Sequence, residues 1–324
     1  YTDLLYDSEG VKIDSDDVLS ENEVYYIYIP RDDGLVGFLE WENITTDHGG
    51  YHFWKEYNYD PYNLPSNEDI EVADFNNDGW LDVAYHEYDD LIILYNENGE
   101  ITDYSYELFS DQITDIDVAD IDRDGYLDIL TLTDDDIFVC MNEGDEDFTN
   151  YQHYVDAGVK YGVLEDVTGD GYPDIVYSNS GLDEMVIMHY LPEEEYHLEK
   201  ESYSLDYIWK IEAADFDGDG YSDVVVANQE DSTTGLSVLL NDGDGTMAKE
   251  ENYGKTFYST GTSSCNQIVT GDLNNDGYPD IIVTFGTGNE TMILWNEGDG
   301  QFDMNDATTL NLTIPLHVSS VKRL

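Results

Sequence analysis

The chain has 324 residues, with 74 Asp and Glu against 11 Lys and Arg, so its formal net charge is −63 at pH 7. A charge of this sign and size repels phosphate backbones and anionic lipid surfaces, which excludes nucleic acid as a partner. Hydrophobic residues make up 40% of the sequence and aromatic residues 13%, enough for a packed core. We expect one folded domain over residues 1–324, with a halophilic, acidic surface suited to concentrated salt. No run reaches the roughly 18 apolar residues of a membrane-spanning helix, so we expect no direct membrane insertion.

A nine-residue motif, Asp-x-[Asp/Asn/Thr]-x-Asp-Gly-x-x-Asp, occurs five times along the chain. Its copies begin, in chain order, at Asp74, Asp120, Asp166, Asp215 and Asp272. The repeat length is therefore roughly 46 to 57 residues. Five specified positions that recur five times do not arise from an Asp-rich composition alone, so the motif marks a structural repeat. We number the copies loop 1 to loop 5 in chain order, and their residues position 1 to position 9.

The segments between the motifs have the composition of β-strands. Short runs rich in Val, Ile, Tyr and Thr are bounded by Gly, Asn and Asp. One run follows each motif directly, and a second run ends in a turn, as at Asn142-Glu143-Gly144. A third run leads outward and a fourth returns to the next motif. Four short strands per repeat, with almost no helical periodicity, predict an all-β fold, a β-propeller of four-stranded blades.

The number of blades depends on the interpretation of the two ends of the chain. A degenerate copy of the motif, from Ile29 to Gly37, lies within a predicted repeat at 21–66 and lacks the side-chain oxygens of positions 1, 3 and 9. Residues 1–20 resemble the outer strands that follow an intact motif, and residues 316–324 resemble the inner strand that leads into one. We therefore expect seven blades, with the closing blade shared between the termini, and six blades as the alternative. On this division the intact copies define repeats at 67–112, 113–158, 159–206, 207–263 and 264–315.

The motif concentrates oxygen atoms that bind hard cations. Side chains at positions 1, 3, 5 and 9, with a backbone carbonyl near position 7, approach the six to eight oxygen ligands that Ca²⁺ takes. Glycine at position 6 permits the sharp turn that folds these oxygens inward. Mg²⁺ is less favoured, because it requires rigid octahedral sites and retains water.

The spacing of the motif distinguishes it from an EF-hand. EF-hand loops begin with the same residues but need an acidic ligand at position 12. Position 12 of the five copies is Tyr85, Thr131, Tyr177, Val226 and Val283. The closing acid lies at position 9 instead, so the loops are not EF-hands.

The repeats resemble the FG-GAP/VCBS repeats of integrin α-subunit propellers and of many secreted bacterial, archaeal and fungal propellers, over nearly the whole chain. In that family the loop joins the first two strands of a blade and binds one Ca²⁺. The resemblance implies about five calcium ions in this chain, one in each intact loop. The implied metal ligands are Asp74, Asn76, Asp78 and Asp82; Asp120, Asp122, Asp124 and Asp128; Asp166, Thr168, Asp170 and Asp174; Asp215, Asp217, Asp219 and Asp223; and Asp272, Asn274, Asp276 and Asp280.

Two copies depart from the family pattern. Thr168 offers a neutral hydroxyl at position 3 of loop 3, which predicts weaker binding there. The degenerate copy places Arg31 where the ion would lie, so we expect that loop to bind no metal.

Motifs of common enzyme classes do not occur in the sequence. There is no His-Glu-x-x-His, no Gly-x-Ser-x-Gly and no Gly-x-x-x-x-Gly-Lys-[Ser/Thr], and we assign no catalytic residue. An enzyme remains an alternative, in the form of a polysaccharide lyase on a calcium propeller, with Lys160 or Lys210 as its base. Cys140 and Cys265 are too few for a disulfide framework and are expected to be small core residues.

These features together favour an extracellular or cell-surface, calcium-stabilised binding module for cell adhesion, with a glycan or protein ligand on a cell surface or matrix. Extracellular calcium sites bind at roughly 10⁻⁴ to 10⁻³ M, so they fill outside the cell and stay empty in cytosol. Sequons for N-glycosylation at Asn43, Asn289 and Asn311 fit a secreted glycoprotein. A further alternative is a structural subunit of a surface layer or filament, through further domains of a longer chain or self-assembly.

Overall fold

Antiparallel strands make up the regular structure of the chain in the computed structural model. The structure describes residues 24–30, 36–42, 70–97, 100–144, 148–191, 195–205, 207–230, 233–241, 243, 247, 265–285, 290–298, 300, 302 and 307–311. Within these ranges, 21 strands form six sheets. The same ranges contain no helix with the length and apolarity to cross a bilayer.

Each intact loop joins the first and second strands of one sheet, and we number the sheets blade 1 to blade 5 after their loops. Blade 1 consists of β3 (Ile70–Ala73), β4 (Asp82–Glu87), β5 (Asp90–Glu97) and β6 (Glu100–Leu108). Blade 2 consists of β7 (Ile113–Ala119), β8 (Asp128–Thr133), β9 (Asp136–Cys140) and β10 (Tyr151–Val155). Blade 3 consists of β11 (Val159–Glu165), β12 (Asp174–Asn179), β13 (Glu184–Leu191) and β14 (Glu195–Ser204).

Blades 4 and 5 repeat the same order. Within the described residues, blade 4 contains β15 (Lys210–Ala214), β16 (Asp223–Glu230) and β17 (Thr233–Leu239). Blade 5 consists of β18 (Cys265–Gly271), β19 (Asp280–Phe285), β20 (Glu290–Leu294) and β21 (Thr308–Asn311). In every blade, neighbours along the chain are neighbours in the sheet. This meander confirms the predicted all-β propeller architecture.

The predicted blade count is wrong. The described residues form five blades, one for each intact loop, and not seven or six. The degenerate copy, counted as a sixth blade, contributes a two-stranded hairpin of β1 (Val24–Pro30) and β2 (Val36–Glu42). Its position 9 is Gly37, so it lacks the carboxylate that joins three strands of each intact blade, as described below. The segments assigned to a shared closing blade, 1–20 and 316–324, lie outside the described residues, as does Arg31.

The hydrophobic core lies between successive blades. The second strands are buried on both faces, as Ile129 and Leu130 of β8 show, because a blade packs against each side of the sheet. Leu130 packs with Ile175 and Tyr177 of blade 3, and each such side chain contributes about 1.5 to 3 kcal/mol when fully buried. The first strands β3, β7, β11, β15 and β18 also contact one another in this order. The loops therefore follow one another along one end of a row of packed sheets.

The two cysteines provide a test of this packing. Cys140 and Cys265 are free and buried, and burial raises the pKa of each thiol to about 12. We expect neither thiol to react with an aromatic disulfide reagent near pH 8, where only about 10⁻⁴ of each thiol is ionised. Both should react in concentrated guanidinium, which serves as the control. Labelling of the native protein within minutes would contradict the packing of blades 2 and 5.

Candidate functional site

All five loops fold around the carboxylate at position 1. In loop 1 the Oδ1 of Asp74 accepts the N–H of Asp78 at 3.0 Å, and its Oδ2 accepts the N–H of Gly79 at 2.8 Å. The glycines at position 6 have φ between 89° and 97°, a left-handed backbone that residues with a Cβ rarely adopt. These bonds turn the backbone so that the side chains of positions 1, 3 and 5 share one side of the loop.

The carboxylate at position 9 is fully buried and holds three strands of the blade together. In blade 2 the Oδ2 of Asp128 accepts the N–H of Ile121, and its Oδ1 accepts the N–H of Asn142, both at 2.8 Å. Ile121 follows the first strand, Asp128 begins the second, and Asn142 follows the third. The same pair of bonds joins Asp82 to Phe75 and Asn96, Asp174 to Val167 and Tyr190, Asp223 to Phe216 and Asn241, and Asp280 to Leu273 and Asn296.

Burial disfavours the charge on several of the loop aspartates. Desolvation, with a smaller contribution from neighbouring loop acids, raises the pKa of Asp82 to about 6 and those of Asp128 and Asp223 to about 7. Desolvation also raises the pKa of Asp280 and of Asp122. A cation placed among such groups favours their ionised form and offsets this cost.

In two of the loops, the side-chain oxygens lie close enough together for each loop to bind one cation. Asp120, Asp122 and Asp124 each offer an oxygen within 4.8 Å of the others, and so do Asp215, Asp217 and Asp223. Among the described residues, the buried Oδ1 of Asp120 has no hydrogen-bond partner. An oxygen-only donor set with an unpartnered carboxylate oxygen fits a hard cation and not a nitrogen- or sulfur-seeking metal.

The remaining loops differ at position 3. The side-chain oxygens of Asn76 and Asn274 accept the N–H of position 5 at 3.1 and 2.9 Å, so both amide oxygens lie inside their loops. In loop 3 the hydroxyl of Thr168 donates to Asp166 at 3.4 Å. The predicted ligands of every loop thus lie on the turn and on the first residue of the strand that follows it. Among the described residues, loops 2 and 4 are the ones in which three acids have oxygens within 4.8 Å of one another.

The sequence located the turn after the third strand but did not assign a role to the asparagine that begins it. Asn142 donates its backbone N–H to Asp128, and its Oδ1 accepts the N–H of Gly144 at 3.0 Å. Its Nδ2 donates to the carbonyl of Leu127 at 3.1 Å, next to position 9. Asn96, Asn241 and Asn296 make the equivalent bonds to position 9. The recurrence of Asn at the turn that ends the third strand, 14 to 18 residues after position 9, was the available signal.

The two lysines of the enzyme alternative and the glycosylation sequons have less support as functional sites. Lys210, a candidate base in the enzyme alternative, pairs with Asp115 at 2.8 Å and lies 4.8 Å from the ring centre of Tyr161, so its ammonium joins three blades. Lys160 lies on β11 and is half-buried. Of the glycosylation sequons, Asn311 ends β21, whereas Asn43 and Asn289 lie outside the described residues.

Replacement of a position-9 carboxylate tests its structural role. In Asp128→Ala the buried N–H groups of Ile121 and Asn142 lose their acceptor, at about 1 to 3 kcal/mol each. We expect the free energy of unfolding to fall by about 2 to 6 kcal/mol in urea with a chelator, near pH 6, below the pKa of Asp128. The control Asp111→Ala alters an exposed acid and should change the free energy of unfolding by at most about 0.5 kcal/mol. Equal stabilities of the two variants would contradict this role.

Solved structures with similar folds support the propeller architecture. An Agrocybe aegerita lectin that recognises non-reducing terminal N-acetylglucosamine has 18% identity and a TM-score of 0.53, over 91% of this chain and 81% of that one. A Lactobacillus plantarum protein has 14% identity and a TM-score of 0.54, over 93% and 85%. The β-propeller domain of Cps50 (Swd1) from Myceliophteria thermophila has 10% identity and a TM-score of 0.50, over 94% and 90%. At such identities the likeness shows the fold alone.

Comparison at the sequence level identifies the repeats. Curated proteins gave no significant match. The pattern of the FG-GAP-like repeat matches residues 74–131, 120–177, 166–226, 215–283 and 272–321. Each match begins at position 1 of an intact loop, and together the matches cover well over half of the chain. This chain therefore belongs to the FG-GAP-like repeat family.

Proposed function

We propose that the protein is an extracellular binding module, a propeller stabilised by calcium in its five loops that recognises a glycan or protein ligand. The observation that carries the calcium proposal is the cluster in loop 2. Asp120, Asp122 and Asp124 converge there within 4.8 Å, and the buried Oδ1 of Asp120 lacks a hydrogen-bond partner. Oxygen clusters of this kind suit Ca²⁺, which accepts six to eight oxygens in flexible geometry.

The side chains at positions 1, 3, 5 and 9 would hold one ion in each loop. A bound Ca²⁺ supplies positive charge that offsets the repulsion among the loop carboxylates. The chain itself sets the geometry, because backbone N–H groups already orient positions 1 and 9. Loop 3 is the weakest candidate, because Thr168 brings a neutral hydroxyl, which donates its hydrogen to Asp166.

Exposed aromatic rings support recognition as the role of the surface. Tyr88 follows the second strand of blade 1 and Tyr207 precedes the first strand of blade 4, so both lie at the blade ends opposite the loops. Their exposed fractions are 64% and 65%. Exposed aromatic rings are typical anchors of protein and sugar recognition. The similarity in fold to a lectin agrees with this proposal, and the ion pair of Lys210 with Asp115 favours binding over base catalysis.

Removal of calcium tests the first half of the proposal. We expect the midpoint of thermal unfolding to be higher with calcium than with a chelator, because each loop saturated at about 100 times its Kd adds about 2.7 kcal/mol. The control carries Asn for Asp at position 5 of all five loops and should show the same midpoint in both buffers. The altered positions are Asp78, Asp124, Asp170, Asp219 and Asp276. An unchanged midpoint in the unaltered protein would contradict calcium stabilisation.

A binding panel tests the second half. The protein is offered glycans and polysaccharides at high salt with calcium, and each sample is read for retention and for new reducing or unsaturated ends. We expect retention without products, and Tyr88→Ala or Tyr207→Ala should weaken it about tenfold or more. Val155→Ala, which alters an exposed aliphatic side chain on β10, should leave retention unchanged. New chain ends would indicate an enzyme instead, and no retention would reject glycan binding.

A further inference from the structure

The asparagine after the third strand also reaches the preceding blade. The Nδ2 of Asn142 in blade 2 donates to the backbone carbonyl of Phe75 in loop 1 at 2.8 Å. The same bond joins Asn241 to the carbonyl of Val167 in loop 3 at 2.6 Å, and Asn296 to that of Phe216 in loop 4 at 2.7 Å. All three bonds are buried, and each acceptor is position 2 of a loop.

These bonds place the position-9 aspartates of neighbouring loops in one hydrogen-bonded chain. The N–H of Phe75 donates to Asp82 of its own loop, and its carbonyl accepts from Asn142 of the next blade. The N–H of Asn142 in turn donates to Asp128 of loop 2. A shift of the peptide at position 2 therefore displaces groups that hold position 9 in both loops.

Side-chain packing strengthens the same connection. The ring of Phe75 meets that of Phe148 in blade 2 edge-on, with centres 6.0 Å apart, and Phe216 meets Phe302 in blade 5 at 5.6 Å. On the loop surface, the ring of Tyr278 in loop 5 lies against Gly218 in loop 4. A Cβ at Gly218 would lie only 2.7 Å from this ring, so the two loops are in direct contact.

The series of asparagine hydrogen bonds is interrupted between loops 2 and 3. Blade 3 carries Tyr190 at the place of the asparagine, and its N–H still donates to Asp174. A tyrosine side chain has no amide to donate to the preceding loop. Blades 2 and 3 are instead linked on their first strands, where Asp115 and Asp117 accept N–H groups of β11 at 2.8 and 2.6 Å. That link lies on the strands and away from position 9.

Loops 2 and 3 also touch on the loop surface. The guanidinium of Arg123 in loop 2 lies 5.2 Å from the ring centre of Tyr172 in loop 3, and a Cβ at Gly171 would lie only 2.6 Å from it. These residues occupy positions 4, 6 and 7, so this contact does not include position 9.

We propose that the turn asparagines couple the metal affinities of neighbouring loops, with loops 1 and 2 as one cooperative group and loops 3, 4 and 5 as another. This inference rests on the proposed calcium function. When positions 1 to 9 of one loop are fixed, the carbonyl at position 2 is also fixed. The side-chain amide of the asparagine in the next blade then donates to a carbonyl that is already held in position. Binding of a cation in the next loop therefore costs less conformational entropy.

Terbium luminescence reads loop 1 separately from the other loops. Tb³⁺ replaces Ca²⁺ at oxygen sites and emits when a nearby tryptophan is excited. Loop 1 carries Trp80 at position 7, where the other intact loops carry tyrosine. The N–H of Trp80 donates to Asp78 at 2.8 Å, so the residue adjoins the candidate ligands. The whole chain is titrated with Tb³⁺, and the emission that is lost in Trp80→Phe is the loop 1 signal.

Two pairs of variants isolate the coupling. Asp124→Asn removes a ligand from loop 2, and Asp219→Asn makes the same change in loop 4, beyond the interruption. Asn142→Ala removes the amide that contacts loop 1, and Asn296→Ala makes the same change in blade 5. We expect Asp124→Asn and Asn142→Ala each to weaken Tb³⁺ binding at loop 1 by about fivefold or more. Asp219→Asn and Asn296→Ala should leave it within about twofold.

The double variant separates coupling from a loss of stability. Loops 1 and 2 are also joined by a bond from the Nδ2 of Asn77 to the carbonyl of Gly125 at 2.7 Å, but that bond is exposed. In the Asn142→Ala background, Asp124→Asn should therefore have little further effect on loop 1, because the buried connecting bond is already absent. Additive effects of the two changes would reject the asparagine route. An unchanged loop 1 affinity in Asp124→Asn would reject coupling altogether. If the unaltered protein takes up no Tb³⁺ and no Ca²⁺, the proposed calcium function fails instead, so the two failures are distinguishable.

Discussion

A buried carboxylate at position 9 of each loop is the interaction on which the blades depend. Asp128 accepts backbone N–H groups from the end of the first strand and the end of the third, and it begins the second strand itself. The carboxylate thus satisfies groups that would otherwise be buried without partners where three strands meet. Its location explains why the acid is specified in every intact copy of the motif, whether or not a cation contacts it.

The same carboxylates link the architecture to electrostatics. Some of the acidic residues that give the chain its net charge of −63 lie in its interior, where desolvation raises the pKa of Asp128 and Asp223 to about 7. Hydrogen bonds to N–H groups recover part of that cost, and a cation in the loop would recover more. Buried acids also join blades outside the loops. Asp115 and Asp117 of β7 accept backbone N–H groups of β11 in the next blade.

The sequence predicted the features that follow from strictly local rules. Glycine at position 6 and alternating acids define the loop, and β-branched runs such as residues 129–133 define the strands, so the blades and their loops could be located. The predicted blade count was wrong because it gave a blade to Ile29–Gly37, which resemble a loop in spacing but lack the position-9 carboxylate, and another to the two ends of the chain. The sequence alone did not show that this carboxylate is needed to join three strands. Asn142 was missed because its role appears only when its amide meets Phe75, a contact between residues far apart in sequence.

We propose above that each intact loop binds one calcium ion. The most direct measurement is the number of calcium ions bound per chain, by elemental analysis after equilibrium dialysis at high salt. The variant with asparagine at position 5 of every loop provides the blank for ions attracted by surface charge alone. We expect the unaltered protein to bind about five more calcium ions per chain than this variant, with loop 3 the last to fill. Equal calcium content in the two proteins would contradict it.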